Sequence, residues 1–303
     1  MDFTFFYIVE PPEYQMLGVR LAASLREAYG PDIRLVGYCP AHRMEELHPA
    51  VFKAHALLGA EIRPMVTEGM WDTPYPHGNK IIACLQERST RASAFVDSDV
   101  LFLHPIPLGE LVTEGAVSAS MAASMGWNGD ERTWRAIYGE LGLTLPEERM
   151  EMMRQKKQGA VVPYFSSGFV AFSEAPGPHG RFPRVWYDTA RTLDRMATLE
   201  RRRPYLDQMS LAPAIRAAGL DWNVLPEERH FILGGRLRGK PIPDDRTIYC
   251  VHYRRQKVLA EVGLKETSNA QLRKYVGTKF ITRLTEKPDR VAPIKPIPLP
   301  RQA

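Results

Sequence analysis

In the stretch Phe95-Val96-Asp97-Ser98-Asp99-Val100-Leu101-Phe102, two carboxylates stand two residues apart, entered and left by apolar residues. Such a pattern marks a buried strand that ends where it meets solvent. On extended backbone, side chains two apart point to the same side. Asp97 and Asp99 are therefore expected to converge on one hard cation whose other ligands are phosphate oxygens and water. An ion there would neutralise a diphosphate leaving group. Asp and Ser are also common turn residues, so position decides between the readings: the triplet closes the fourth strand of an alternating pattern.

Upstream of the triplet, strands are expected at Phe3–Val9, Ile33–Tyr38, Ala60–Met65 and Ala94–Val96. Helical patterns fall between them at Tyr14–Tyr29, Met44–Leu58 and Gly78–Glu87. Strand and helix in alternation imply an α/β domain with a mostly parallel central sheet flanked by helices. Downstream, Ala116–Met121, Phe165–Phe172 and Thr247–His252 read as strands. Pro183–Leu199 and Tyr205–Ala218 read as helices, and a charged helical insertion spans Asp130–Gln158, within about 129–159. Residues 278–303 carry five prolines and six Lys or Arg against two Asp or Glu, the composition of an extended basic tail. The expected organisation is one domain over 1–277 followed by that tail.

The chain has 303 residues, ample for a buried core, and its 25% charged and 44% hydrophobic composition is that of a globular protein rather than a disordered chain. No run approaches the roughly 18 apolar residues that cross a bilayer. The start, MDFTFFYIVEPPEYQ, lacks the features of a signal peptide. These features predict a cytoplasmic protein with at most peripheral membrane contact. Cys39, Cys84 and Cys250 are isolated among apolar neighbours and read as buried free thiols. The net charge of +5 suits a polyanionic ligand, but the basic residues are dispersed without a basic-aromatic module, so no nucleic-acid partner is expected.

The run FVDSDVLFLHPI resembles the Asp-X-Asp signature of GT-A-fold, metal-dependent glycosyltransferases, specifically of the glycosyltransferase family 8 type. Further segments follow in the order of that family. Tyr164-Phe165-Ser166-Ser167-Gly168-Phe169 is similar to the strand beside the acceptor site, Tyr205-Leu206-Asp207-Gln208 resembles the Asp-Gln pair near the reacting sugar, and Val251-His252-Tyr253 is similar to the late metal-binding histidine. The resemblance implies a GT-A-like single domain moving a sugar from a nucleotide-diphosphate-sugar donor to a hydroxyl on a glycan, lipid-linked or small-molecule acceptor. It implies Asp97, Asp99 and His252 as ligands of Mn2+ (or Mg2+), and Asp207 or Gln208 beside the anomeric carbon. Where the family continues with glycine and Lys-Pro-Trp, this chain reads HYRRQK, so Arg254, Arg255 or Lys257 would supply the cationic contact.

The remaining residues fit that reading. Lys80 opens a helix and can reach donor phosphate, aided by backbone N–H groups at the helix end. Ser98 lies within the acidic triplet, and Ser167 and Gly168 combine a hydroxyl with the small size that close approach of a sugar requires. Asp207 is either functional or a helix cap. Tyr7, at the end of the first strand, is expected to bound the base pocket, and Trp71, Trp127 and Trp134 offer flat faces to an acceptor. A sugar nucleotidyltransferase would carry a glycine-rich loop after the first strand, but Glu10-Pro11-Pro12-Glu13 stands there. Gly234–Lys240 reads as a basic loop that can cover phosphate. A non-catalytic nucleotide- or carbohydrate-binding protein of the same fold is the other alternative.

Overall fold

The computed structural model describes residues 2–154, 159–233 and 241–277. The basic loop Gly234–Lys240, the end of the charged insertion at 155–158 and the tail 278–303 lie outside the described residues. The first half runs β1 (Phe3–Ile8), α1 (Tyr14–Tyr29), β2 (Arg34–Pro40), α2 (Pro49–Leu57), β3 (Ala60–Met65), α3 (Asn79–Leu85), β4 (Ala92–Val96) and β5 (Val100–Phe102). The second runs α4 (Leu108–Leu111), β6 (Ala116–Met121), α5 (Glu131–Glu140), β7 (Met150–Glu151), β8 (Ala160–Val161), β9 (Phe165–Ser173), α6 (Phe182–Arg195), α7 (Leu206–Met209), α8 (Leu211–Ala217), β10 (Asp221–Leu225), β11 (Phe231–Ile232), β12 (Cys250–His252), α9 (Gln256–Glu261) and α10 (Lys265–Val276).

Seven strands form the central sheet in the order β10-β6-β9-β4-β1-β2-β3. All neighbours are parallel except β9, which runs antiparallel between β4 and β6. The alternation of β1 covers both faces: Phe3, Phe5 and Tyr7 pack on the side of α1 and α2, while Phe6 packs on the side of α3 and α6. A sheet apolar on both faces requires helices on both, which is why β1 reads as a near-continuous hydrophobic run. The molecule is thus a mixed α/β single domain with a mostly parallel central sheet flanked by helices, the architecture expected of a GT-A-like fold. Chain order reverses at the β1/β4 junction, because β2 and β3 extend the sheet one way and β4 the other. In open α/β sheets a crevice forms at such a reversal, outside the carboxyl ends of the strands.

A second sheet, β11-β12-β5, stands beside this edge. It is secured by α10, whose Gln271 Nε2 donates to the Phe102 carbonyl of β5 at 3.0 Å and whose Ser268 accepts from the buried Arg20 guanidinium of α1 at 2.9 Å. No described helix is long and apolar enough to cross a membrane.

Several expected elements come out divided, each for a local reason. The Met44–Leu58 pattern splits because Pro49 is tolerated only in a first helical turn, and His48 caps that turn by accepting the Ala50 N–H at 3.1 Å. The Tyr205–Ala218 pattern becomes α7 and α8, with Pro213, which has no N–H to donate, in the first turn of α8. Among its described residues the charged insertion is helical only over α5; after it the chain forms the small β7/β8 pairing. Strand β10 and helices α9 and α10 are not among the elements that the sequence pattern predicts. All three cysteines are buried and free, and burial pushes the Cys39 and Cys84 thiols up to about 12.

His55 on α2 is sealed in the core against Tyr7, its Nδ1 2.9 Å from the Val51 carbonyl and its Nε2 without a partner. Burial, opposed by the Val51 hydrogen bond, lowers its pKa from 6.5 to about 4. Because the folded value lies below the unfolded one, the unfolded chain takes up the proton first, so stability is full above pH 6.5 and declines down to about pH 4. The loss is about 3 kcal/mol at about 1.36 kcal/mol per unit. Urea unfolding measured across this range should show that decline, and His55→Met should flatten it.

Candidate active site

A cleft of about 790 Å3 opens at the β1/β4 reversal, a size ordinary for small-molecule sites. A second hollow of about 420 Å3, beside His104 and Ile242–Ile248, is open to solvent. Among the described residues, the only convergence of three potential metal donors, Asp97, Asp99 and His252, is in the larger cleft.

The acidic triplet is a turn, not the extended strand expected from its spacing. The Val100 N–H donates to the Asp97 carbonyl at 3.0 Å, closing a four-residue turn that carries the chain from the central sheet into the second one. Convergence of the carboxylates comes from that turn and from pairing. The Asp97 N–H donates to the Gly168 carbonyl at 2.8 Å, and β12 pairs antiparallel with β5 so that His252 sits opposite Val100. His252 Nε2 lies 3.0 Å from Asp99 Oδ1 and 3.9 Å from Asp97 Oδ2, and the three donor atoms lie within 4.8 Å of one another.

Lys80 faces the same carboxylates from α3, its ammonium 2.9 Å from Asp97 and 3.2 Å from Asp207. Burial works against the charge on Lys80, but the two carboxylates outweigh it and raise its pKa. Desolvation is also the largest influence on Asp97 and, with the repulsion of Asp99, raises its carboxyl against the attraction of Lys80. At Asp99 desolvation is outweighed by the charge and hydrogen bond of His252, so that carboxyl is held low. Three carboxylates thus meet one ammonium, leaving a negative surplus.

Asp207 does not cap its helix. Its carboxylate accepts from Ser167 Oγ at 2.5 Å and from the Tyr75 hydroxyl at 3.0 Å. Gln208 and Arg254 line the cleft, and Arg254 does so with a left-handed φ of 59°, a strained backbone of the kind that gathers at functional sites. Ser98 also borders the cleft, but its hydroxyl hydrogen is spent on the Ile8 carbonyl at 2.5 Å.

Other expectations fail on burial. Tyr7 is wholly buried under α1 and α2 and does not line the cleft, because the alternation of β1 turns it into the core rather than toward the strand end. Trp71 and Trp134 are buried, and Trp127 packs edge-on against Trp134 and Tyr164. The N–H groups expected to greet phosphate ahead of Lys80 are partly used, since a 3-10 turn at Pro76–Gly78 precedes α3 and the Asn79 N–H bonds the Pro76 carbonyl.

Residues that the sequence reading overlooked line the same mouth. Tyr14 is 45% exposed there, and Glu10 pairs with Arg43 at 2.8 Å. Both were findable, since in a parallel sheet the segments after β1 and β2 emerge at the same edge as the triplet. Tyr75 and His230 carried no comparable signal.

Gly168 holds the cluster at its spacing. A Cβ there would lie 2.8 Å from both Asp97 Oδ2 and His252 Cε1, and the strand cannot yield because β4 and β6 flank it. Gly168→Ala should leave the circular dichroism spectrum unchanged and cost about 1–3 kcal/mol in denaturant titration.

No curated protein matches the chain significantly. The family model described as Rhodobacterales glycosyltransferase domain matches residues 5–219, which include Lys80, Asp97, Asp99, Ser167, Gly168, Asp207 and Gln208. That match covers well over half of the 303 residues, so the chain belongs to the Rhodobacterales glycosyltransferase domain family and is a glycosyltransferase.

Proposed function

We propose that the enzyme takes its sugar from a nucleotide-diphosphate-sugar donor with the help of a divalent cation, Mn2+ or Mg2+, in a GT-A site of the family 8 type. In this reading residues 1–277 are the catalytic unit and a glycan, lipid-linked or small-molecule hydroxyl is the acceptor. The observation that carries it is the convergence of Asp97, Asp99 and His252 at the floor of a cleft that also holds the fixed carboxylate of Asp207.

The donor set fits such an ion. Two carboxylates and one imidazole make a mixed oxygen and nitrogen set that suits Mn2+ and leaves positions for phosphate and water. The negative surplus is what a cation would offset. When bound, the ion would act as a Lewis acid toward the diphosphate and stabilise it as it leaves.

The chain's own groups do the rest. Arg254 and Arg255 at the cleft margin offer guanidinium forks for phosphate oxygens. The exposed ring of Tyr14 offers a flat face to the nucleotide base, the role first expected of Tyr7. As the bond from sugar to phosphate breaks, oxocarbenium-like charge develops on the sugar. Asp207, held by Ser167, Tyr75 and Lys80, presents an oriented negative charge that can stabilise it without reorganising. Gln208, next along the chain, offers an amide oxygen to the same space, and the acceptor hydroxyl enters past Ser167.

Two measurements test the reading. In a thermal-shift panel of nucleotide-sugars, at least one donor should raise the melting temperature more with Mn2+ than with EDTA, and Asp97→Ala and Asp99→Ala should each remove the Mn2+-dependent increment. Full transfer by both variants with metal present would overturn it. Separately, Asp207→Asn should lower kcat by about 100- to 1,000-fold with the donor's binding constant little changed.

A further inference from the structure

The two nitrogens of the His252 ring face different neighbours. Nε2 points into the cleft, 3.0 Å from Asp99 Oδ1, while Nδ1 lies 3.2 Å from Nε2 of His230. His230 is wholly buried, its ring plane 20° from that of His252, and its own Nδ1 is 2.8 Å from Ser120 Oγ. Ser120 belongs to β6, His230 precedes β11, and His252 ends β12, so the row of three side chains ties the central sheet to the second one.

Hydrogen-bond accounting fixes what this row can do. A ring nitrogen that binds a cation must present its lone pair, so a neutral His252 ligating through Nε2 carries its proton on Nδ1. That Nδ1–H needs an acceptor, and His230 Nε2 is the group at hydrogen-bond distance. To accept there, a neutral His230 must carry its own proton on Nδ1, where Ser120 Oγ takes it. Both buried ring N–H groups in the row are then matched.

Metal-bound histidines are usually oriented by a carboxylate, a backbone carbonyl or water. A carboxylate behind His252 would add a further negative charge to a cleft floor that already holds three. A neutral imidazole supplies the acceptor without that charge.

We propose that His230 is a positioning residue that, backed by Ser120, holds His252 in the tautomer presenting Nε2 to the cation. This rests on the metal reading given above, and Mn2+ binding to the wild-type full-length protein, by isothermal titration calorimetry, tests that reading first. Absence of binding would overturn both. Given wild-type binding, His230→Phe keeps an aromatic disc but removes the acceptor, and should weaken Mn2+ binding about 10- to 100-fold. His230→Gln, whose amide oxygen can accept from Nδ1, should recover most of that loss. Equal affinity in wild type and His230→Phe, or an equal loss in both variants, would overturn the positioning role while leaving the metal site standing. Should the variants fail to fold, imidazole 15N spectra of the Cd2+-loaded wild type decide the matter. Protons on Nδ1 of both rings support the proposal, and a proton on His230 Nε2 overturns it.

Discussion

Like charges brought close together in a partly desolvated cleft repel, and this molecule collects three carboxylates, Asp97, Asp99 and Asp207, around one ammonium and one imidazole. Much of the surrounding structure can be understood as holding that arrangement against its own repulsion. Lys80 bridges two of the acids, His252 attends the third, and the direction of each shifted group follows from which neighbour it faces. The site is therefore short of positive charge, and the shortage faces the open cleft.

Rigidity comes from backbone placed on three sides. Strand β9 supplies the Gly168 carbonyl that anchors the Asp97 N–H, and the missing side chain of Gly168 is the space in which Asp97 and His252 approach. Strand β12 brings His252 from 153 positions beyond Asp99 and seats it by pairing with β5. Helix α7 delivers Asp207, whose oxygens are fixed by Ser167 and Tyr75. A cluster so held needs little reorganisation when charge develops nearby, which is the condition for effective electrostatic stabilisation.

Much of the fold was legible because its signals are local. The aromatic run of β1, the apolar face of α1 and its arrest at Gly30, where φ is +70°, and the bounds of β3 and β6 are written in short windows of sequence. The missed or divided elements were set by less local influences. Strand β10 takes its place by pairing with β6. Tyr7 shows the limit in the site itself: its place in the chain suggested the pocket, and the strand's period of two sent the ring into the core.

The sequence by itself determined the alternating α/β architecture and the identity of the acidic groups at the end of β4, because strand period, helix period and turn residues act over a few positions. Family order then pointed to His252 and Asp207. Tertiary structure alone decided that Lys80 would lie between two carboxylates, and that His230 would stand behind His252 with Ser120 behind it. These contacts join residues from 17 to 127 positions apart in the chain. Hydrogen bonding and charge act over a few ångströms in space, and only the completed sheets bring those distances about.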